Sequence, residues 1–100
     1  MRPIHLAALD KTRPVLILTR EQVRPYLKAI TVAPITSTIR GLSTEVPVGR
    51  TNGLDRDSVV SCDNITTVPR DAIGRHLGYL RPAQEHALTQ AIAAAYDLDF

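Results

Sequence analysis

Nine polar residues in this sequence stand at or just beyond the ends of apolar runs, where their side chains could act together. They are Arg13, Thr36, Ser37, Thr38, Arg40, Asp57, Ser58, Asp63 and Asn64. Strand ends that lead into loops are where rigid folds present functional groups, so these side chains could converge on one rim. Arginine donors match phosphoryl oxygens, and hydroxyl, carboxylate and amide groups suit sugars and base edges. The set is therefore a candidate functional site whose residue types are compatible with a nucleic-acid ligand.

Each of these residues also has an ordinary structural explanation. Threonine and serine cap or bend strands, and Asp63 followed by Asn64 fits a turn. Arg13 and Arg40 could extend into solvent, as most arginines beside strands do. Taken one at a time, the residues favour these structural roles, so only their joint pattern supports a functional argument.

The charge distribution favours an anionic partner such as nucleic acid. The net charge is only +2, but residues 1–81 hold all twelve cations against seven acids, and ten of the twelve are arginine. The planar guanidinium suits phosphate and base edges. An arginine-rich composition also accompanies GC-rich genomes, and the sequence has four aromatic residues and no Trp to form a stacking platform.

Several catalytic classes are excluded by missing residues. Cys62 is the only cysteine, and His5, His76 and His86 lack the spacing of metal ligands, so we expect no disulfide, metal or other cofactor. The glycine motifs of nucleotide hydrolases and serine hydrolases are absent. We expect His5 to be a hydrogen-bonded sheet residue, His76 to lie in an exposed turn, and His86 to lie on the surface. Cys62 is expected to be a small buried strand residue.

The pattern of apolar residues predicts a small antiparallel barrel closed by one helix. Two strands at 3–10 and 15–19 are close enough to form a hairpin, and further strands are predicted at 29–36, 44–49, 58–63 and 65–69. Pro47 favours an edge position for the fourth, and Pro25 limits the preceding segment to a short helix or turn. A left-handed turn is expected at Asn52 and Gly53. Residues 70–80 predict a helical turn and a brief extended piece.

The last element is an amphipathic helix that begins at Pro82. One stripe of this helix consists of Ala87, Leu88, Ala91, Ile92 and Ala95. One hundred residues with 44% hydrophobic side chains suffice for a single domain, 1–100. No apolar run is long enough for a signal peptide or a membrane span, so a cytoplasmic protein is expected.

Four segments of the sequence resemble the MazF/PemK family of toxin endoribonucleases from bacterial toxin-antitoxin pairs. They read "RPVLILT", "TVAPITSTIRGLSTEVPVG", "GLDRDSVVSCDNITTVP" and "IGRHLGYL". The resemblance runs from about residue 4 to the C-terminal helix, and the two middle segments are specific. It implies an SH3-like barrel with a C-terminal helix, which agrees with the elements predicted above.

The resemblance also implies an activity and its residues. The family cleaves single-stranded or loop RNA without metal, because the 2′-hydroxyl attacks the adjacent phosphorus and leaves a 2′,3′-cyclic phosphate and a 5′-hydroxyl. Cleavage of messenger, ribosomal or transfer RNA inhibits translation and growth. Arg13 and Thr36 match the catalytic positions. The RNA-binding roles fall on Ser37, Thr38, Arg40, Asp57, Ser58, Asp63 and Asn64. A homodimer and a cognate MazE-like antitoxin with an acidic tail are implied as partners.

The sequence departs from the family pattern in three places. Only Lys11 and Thr12 separate Asp10 from Arg13, so the long loop that covers the RNA in many relatives is missing. We expect a more open groove that accepts structured RNA. Ser61 stands where some relatives have a catalytic arginine, and His5 replaces the usual first-strand aromatic residue.

Two functions of other classes remain open at this point. The gyrase-poisoning toxins share the barrel and act by binding a protein, although their aromatic-glycine ending is absent from "AAYDLDF". A plain RNA-binding module is the second alternative, and the missing aromatic platform counts against it.

Overall fold

The computed structural model, which describes residues 1–99, consists of a curled seven-stranded sheet and one helix. Apolar and β-branched runs form the strands. The seven strands are β1 (Pro3–Ala8), β2 (Thr12–Ile17), β3 (Ala29–Thr36), β4 (Glu45–Val48), β5 (Ser58–Ser61), β6 (Thr66–Pro69) and β7 (Ile73–Tyr79). The helix is α1 (Pro82–Tyr96), and short 3₁₀ turns lie at Arg24–Tyr26, Arg50–Asn52, Cys62–Asn64 and Arg70–Ala72.

The sheet is antiparallel and divides along β3. Its strand order is β4-β5-β3-β2-β1-β7, and β6 pairs with β3 beside this path. The end of β3 pairs with β5, where Thr36 lies opposite Val59, whereas the start of β3 pairs with β6, where Ala29 lies opposite Pro69. One strand thus serves two halves of the sheet, which curls into an antiparallel half-barrel. The predicted barrel with a C-terminal helix is confirmed, and Pro47 lies on an edge strand as predicted.

Two apolar clusters lie on the two faces of the sheet, and β2 contributes to both. Leu16 packs in the cluster that α1 covers, and Val15 and Ile17 pack in the other. Alternate residues of a strand point to opposite faces, so a continuous apolar run is needed here. The predicted stripe of α1 is confirmed, because Leu88 and Ala91 are buried and the neighbouring stripe residues pack against the same cluster.

Four sequence-based expectations differ from the structure. β2 begins at Thr12, so Arg13 and Pro14 lie inside the strand and pair with β1, rather than preceding it. The brief extended piece near the end is β7, a full seventh strand, because it pairs with β1 along the sheet edge. His76 is consequently an exposed strand residue and not part of a turn. Cys62 is buried as predicted, but in the turn after β5.

Candidate active site

A cavity of about 630 Å³ opens beside the turn that joins β1 and β2. Its walls come from β2, from the end of β3, from the loop before β4 and from the turn after β5. Six of the nine residues singled out in the sequence line it: Arg13, Thr36, Thr38, Arg40, Asp63 and Asn64. The antiparallel pairing of β2 with β3 and of β3 with β5 brings these distant segments to one rim.

A second cavity of about 240 Å³ adjoins the first. Ser37 and Ser58 line it together with Lys11 and Arg56. Arg13 and Thr36 line both cavities, so this pair lies where the two adjoin. A polymer that crosses the rim would therefore meet Arg13 and Thr36 between two successive binding spaces.

Arg13 is held by the strand and by one neighbouring acid. Its Nη2 donates to Asp10 Oδ2 at 3.0 Å, and its side chain is only 24% exposed. The backbone N–H of Lys11 and then the positive charge of Arg13 lower the pKa of Asp10 below its usual value. The buried Nε of Arg13 has no hydrogen-bond partner among residues 1–99. Asp10 thus orients the guanidinium while leaving donors free for a ligand.

Thr36 presents a hydroxyl proton to the rim. It is the last residue of β3, and its Oγ1 accepts a hydrogen bond from the backbone N–H of Thr38 at 3.1 Å. A hydroxyl that accepts from the backbone keeps its own proton free to donate. The geometry thus favours donation from Thr36 to an anionic oxygen in the cavity.

Asp63 and Asn64 lie in the 3₁₀ turn after β5, where both are exposed. Asp63 Oδ2 accepts from the hydroxyl of Thr44 at 2.6 Å, and Asn64 Nδ2 donates to Ser61 Oγ at 2.9 Å. In each side chain, one polar atom thus forms a hydrogen bond that fixes the side chain in place. The remaining carboxylate oxygen of Asp63 and the amide oxygen of Asn64 are suited to the edges of unstacked bases.

Two of the predicted contact residues lie apart from this arrangement. Asp57 lines neither cavity and lies instead beside Gly49 and Gln84 on another part of the surface. Ser58 reaches the smaller cavity, but it is only 6% exposed and its hydroxyl donates to the carbonyl of Arg56 at 3.1 Å.

Sequence reasoning missed other residues of the rim, notably Glu45, Leu42 and Lys11. Glu45 belongs to the segment "TEVPV", in which only the proline was interpreted. An acid at the start of an otherwise apolar strand was the available signal, because such a residue points away from the core. His5 behaves as predicted, since its Nδ1 lies 2.9 Å from the carbonyl oxygen of Gly74.

Residues 5–96 match the family model described as PemK-like, MazF-like toxin of type II toxin-antitoxin system. The chain belongs to this family. It is 64% identical over 100 residues to endoribonuclease MazF3 of Mycobacterium tuberculosis, with 100% of this chain and 97% of that protein covered. It is 40% identical over 84 residues to the probable endoribonuclease MazF2 of the same species, covering 83% of this chain and 82% of that protein.

Solved structures of MazF toxins have the same fold. The M. tuberculosis toxin MazF-mt6 superposes with a TM-score of 0.97 at 64% identity, covering 99% of this chain and 100% of that chain. An endoribonuclease in complex with its cognate antitoxin, from a mycobacterial species, gives a TM-score of 0.87 at 26% identity, covering 98% and 94%.

The protein is accordingly a MazF-family toxin endoribonuclease, and the resemblance found in the sequence is confirmed. Neither the gyrase-binding function nor the plain RNA-binding module is favoured by these relatives. Within residues 1–99, no helix has the length and apolar character that a membrane span needs. The same residues contain no group of three or more His, Cys, Asp and Glu side chains placed to hold a metal ion.

Proposed function

We propose that this MazF-family enzyme cleaves RNA at a phosphate bound between Arg13 and Thr36. The observation that carries the proposal is that these two residues line both adjoining cavities. A nucleotide in each cavity would put the phosphate that links them beside the guanidinium and the hydroxyl. Both groups are hydrogen-bond donors, as a phosphoryl anion requires.

In the proposed reaction, the 2′-oxygen of the upstream ribose forms a bond to phosphorus and the bond from phosphorus to the 5′-oxygen breaks. The products are a 2′,3′-cyclic phosphate and a free 5′-hydroxyl. Arg13 stabilises negative charge on the phosphoryl oxygens in the transition state, and loss of one such donor costs roughly 10²- to 10³-fold in rate. Thr36 donates to another oxygen and fixes the phosphate for in-line attack.

Proton transfer needs a separate account, because neither catalytic residue is a good base. A guanidinium is already protonated at neutral pH, and a neutral threonine hydroxyl binds a proton only weakly. We propose that the Arg13 guanidinium or a bound water donates the proton to the leaving 5′-oxygen, with water taking the proton of the 2′-hydroxyl. No step requires a metal ion.

The larger cavity is proposed to read the RNA sequence. Asp63 and Asn64 offer acceptor and amide groups to base edges, and Thr38 and Arg40 contact phosphate, sugar or base. Ser37 and the largely buried Ser58, which both line the smaller cavity, would contact RNA there. Asp57 would meet only RNA that extends beyond both cavities.

The short turn between β1 and β2 supports an open groove. Three residues, 9–11, join Ala8 of β1 to Thr12 of β2, and no long loop covers the cavities there. We propose that loops of structured RNA reach Arg13, in messenger, ribosomal or transfer RNA. Cleavage of such RNA would inhibit translation and growth.

The partners are also proposals. One similar mycobacterial endoribonuclease is described in complex with its cognate antitoxin. We propose a MazE-like antitoxin for this chain, with an acidic segment that occupies the arginine-lined groove and excludes RNA. We further propose a homodimer, a single toxin domain over residues 1–100, and action in the cytoplasm. Phe100 lies outside the described residues.

The experiment is cleavage of a long RNA in excess EDTA, followed by mapping of the new ends. We expect cuts at specific sites that leave cyclic phosphate and 5′-hydroxyl termini. Arg13→Ala should reduce the rate roughly 10²- to 10³-fold, because one phosphate-binding donor group is lost. Arg75→Ala, which removes an exposed arginine on β7, is the matched control and should cleave normally. Cleavage that requires magnesium would contradict the proposal.

A further inference from the structure

The loop between β3 and β4 carries three side chains, those of Thr38, Arg40 and Leu42, to the larger cavity and has no strand pairing of its own. Arg40 and Leu42 line the cavity, and β4 begins only at Glu45. Gly41, between them, has φ 73°, in the left-handed region of backbone conformation. A loop without strand pairing needs other hydrogen-bond partners for its backbone groups if it is to keep one conformation.

Glu45 supplies those partners. Its Oε1 accepts from the backbone N–H of Arg40 at 3.2 Å and from that of Leu42 at 3.1 Å, while Oε2 lies 3.4 Å from the Arg40 nitrogen. The backbone N–H of Glu45 donates in turn to the carbonyl of Leu42 at 3.1 Å. Three backbone groups of the loop are therefore bound by a single residue at the start of β4.

The charge of Glu45 needs an explanation in a groove proposed for RNA, because a carboxylate repels phosphate. Its hydrogen bonds to two converging N–H groups are charge-assisted, so the negative charge is directed at the loop backbone. Such an acceptor orders backbone that would otherwise be bonded only to water. The residue is thus better explained by loop geometry than by contact with the nucleic acid.

The far end of the loop has a second attachment. The hydroxyl of Thr44 donates to Asp63 Oδ2 at 2.6 Å, so the loop also contacts the turn proposed to read bases. A shift of the loop would therefore disturb both Arg40 and Asp63. Leu42 is 47% exposed, which leaves an apolar side chain free to pack against an unstacked base in a protein poor in aromatic residues.

We propose that Glu45 is a positioning residue for RNA binding: it fixes the backbone of residues 40–42 and so holds Arg40 and Leu42 over the larger cavity. The inference rests on the proposed RNA cleavage at this rim. It differs from a role as general base, which would need the carboxylate charge itself. A positioning role needs only one acceptor oxygen, because Oε1 alone binds both N–H groups.

The first test compares Glu45→Gln with Glu45→Met in the full chain, on an RNA that the unmodified protein cleaves. Glutamine keeps an acceptor oxygen, whereas methionine keeps the length of the side chain and loses the acceptor. We expect Glu45→Met to raise KM about 10- to 100-fold with a much smaller change in kcat, since a displaced binding loop weakens substrate positioning. Glu45→Gln should stay within about threefold of the unmodified KM, because the acceptor is retained.

The second measurement follows the loop without RNA. Amide hydrogen exchange at Arg40 and Leu42 should become faster in Glu45→Met and remain protected in Glu45→Gln. Glu85→Met removes a glutamate on α1 that pairs with Arg2, and this control should change neither the loop exchange nor KM. Circular dichroism checks folding, and Glu45→Ala replaces the methionine variant if that variant does not fold.

The outcomes separate the two proposals. If Glu45→Gln is as impaired as Glu45→Met, the charge is required and the positioning role is wrong. If Glu45→Met changes neither exchange nor KM, the role is equally wrong. If the unmodified protein cleaves no RNA, the proposed function fails, while the exchange data still support or overturn the effect of Glu45 on the loop.

Discussion

The side chains of Arg13 and Thr36 have different hydrogen-bond partners, so substitutions at the two positions should have different effects. Both residues lie in paired strands, but the Arg13 side chain is held by the carboxylate of Asp10, whereas the Thr36 hydroxyl accepts a hydrogen bond from the backbone N–H of Thr38. In the proposed reaction, Thr36 contributes only its hydroxyl. Substitutions that keep or remove this hydroxyl, at nearly constant size, therefore isolate its role.

Thr36→Val should lower kcat about 10- to 100-fold, and Thr36→Ser should restore most of it, because serine keeps the donor to the phosphoryl oxygen. Single-turnover cleavage of one RNA at saturating enzyme measures the effect. Equal rates for the valine and serine variants would argue that the hydroxyl has no part in the reaction.

Cys62 predicts a dependence of stability on alkaline pH. Burial, and then the negative charge of Asp63, raise the pKa of its thiol from 9.0 to about 11. The unfolded chain ionises first as pH rises, so the stabilising contribution of the protonated thiol is present below pH 9 and is lost between pH 9 and about 11. Relative to Cys62→Ala, the free energy of unfolding should fall by on the order of 2 kcal/mol across this range. Urea titrations at several pH values measure the free energy of unfolding of both proteins. A difference between the two free energies that does not change with pH would contradict this prediction.

At the residue scale, the sequence predicted correctly that most of the side chains singled out in it lie at the rim. It did not predict the hydrogen-bond partners of those side chains. Thr36 follows from a strand end and from the family pattern, whereas Arg13 follows from the family pattern and lies inside β2. The partnership of Arg13 with Asp10 depends on where the hairpin turns, and that register follows from pairing with β1. Glu45 was missed because its partners lie in a loop whose path no periodic pattern describes.

At the scale of elements, a close contact between the Arg50–Asn52 turn and β7 fixes one side of the sheet. Gly53 has φ 84°, and a Cβ atom there would lie 2.1 Å from the carbonyl oxygen of Leu77. The buried side chain of Asn52 adds hydrogen bonds to the carbonyl of Tyr79 and to Gln84 of α1. The Asn-Gly turn was predicted from sequence, but its burial depends on contacts with β7 and α1 that are distant along the chain.

Gly53→Ala should therefore destabilise the fold by about 3 kcal/mol or more, since a left-handed backbone conformation and a collision with backbone both oppose the new Cβ. Gly41 is the matched control: it has φ 73°, but a Cβ there has no neighbour within 4 Å. Gly41→Ala should cost only about 1 kcal/mol, from the backbone conformation alone. Urea unfolding followed by circular dichroism compares the two, and equal losses would rule out the close contact as the cause.

For the molecule as a whole, the division of β3 between two halves of the sheet brings segments from residues 10 to 64 to one rim. Local patterns predicted most strands and the helix. They predicted only a brief extended piece at β7, because apolar and polar residues alternate weakly there and because its pairing partner, β1, is distant along the chain. The curl of the sheet follows from the two pairings of β3, which no local pattern encodes. The family resemblance supplied that topology in advance.

In the proposed mechanism, the RNA's own 2′-hydroxyl attacks a phosphate bound by Arg13 and Thr36. The most direct measurement replaces a single ribose, the one immediately upstream of a mapped cut, with deoxyribose in a short RNA. We expect cleavage at that site to be abolished and binding to stay within about threefold of the all-ribose RNA, because the phosphate and base contacts are unchanged. Cleavage of the substituted RNA at the same bond would contradict the account.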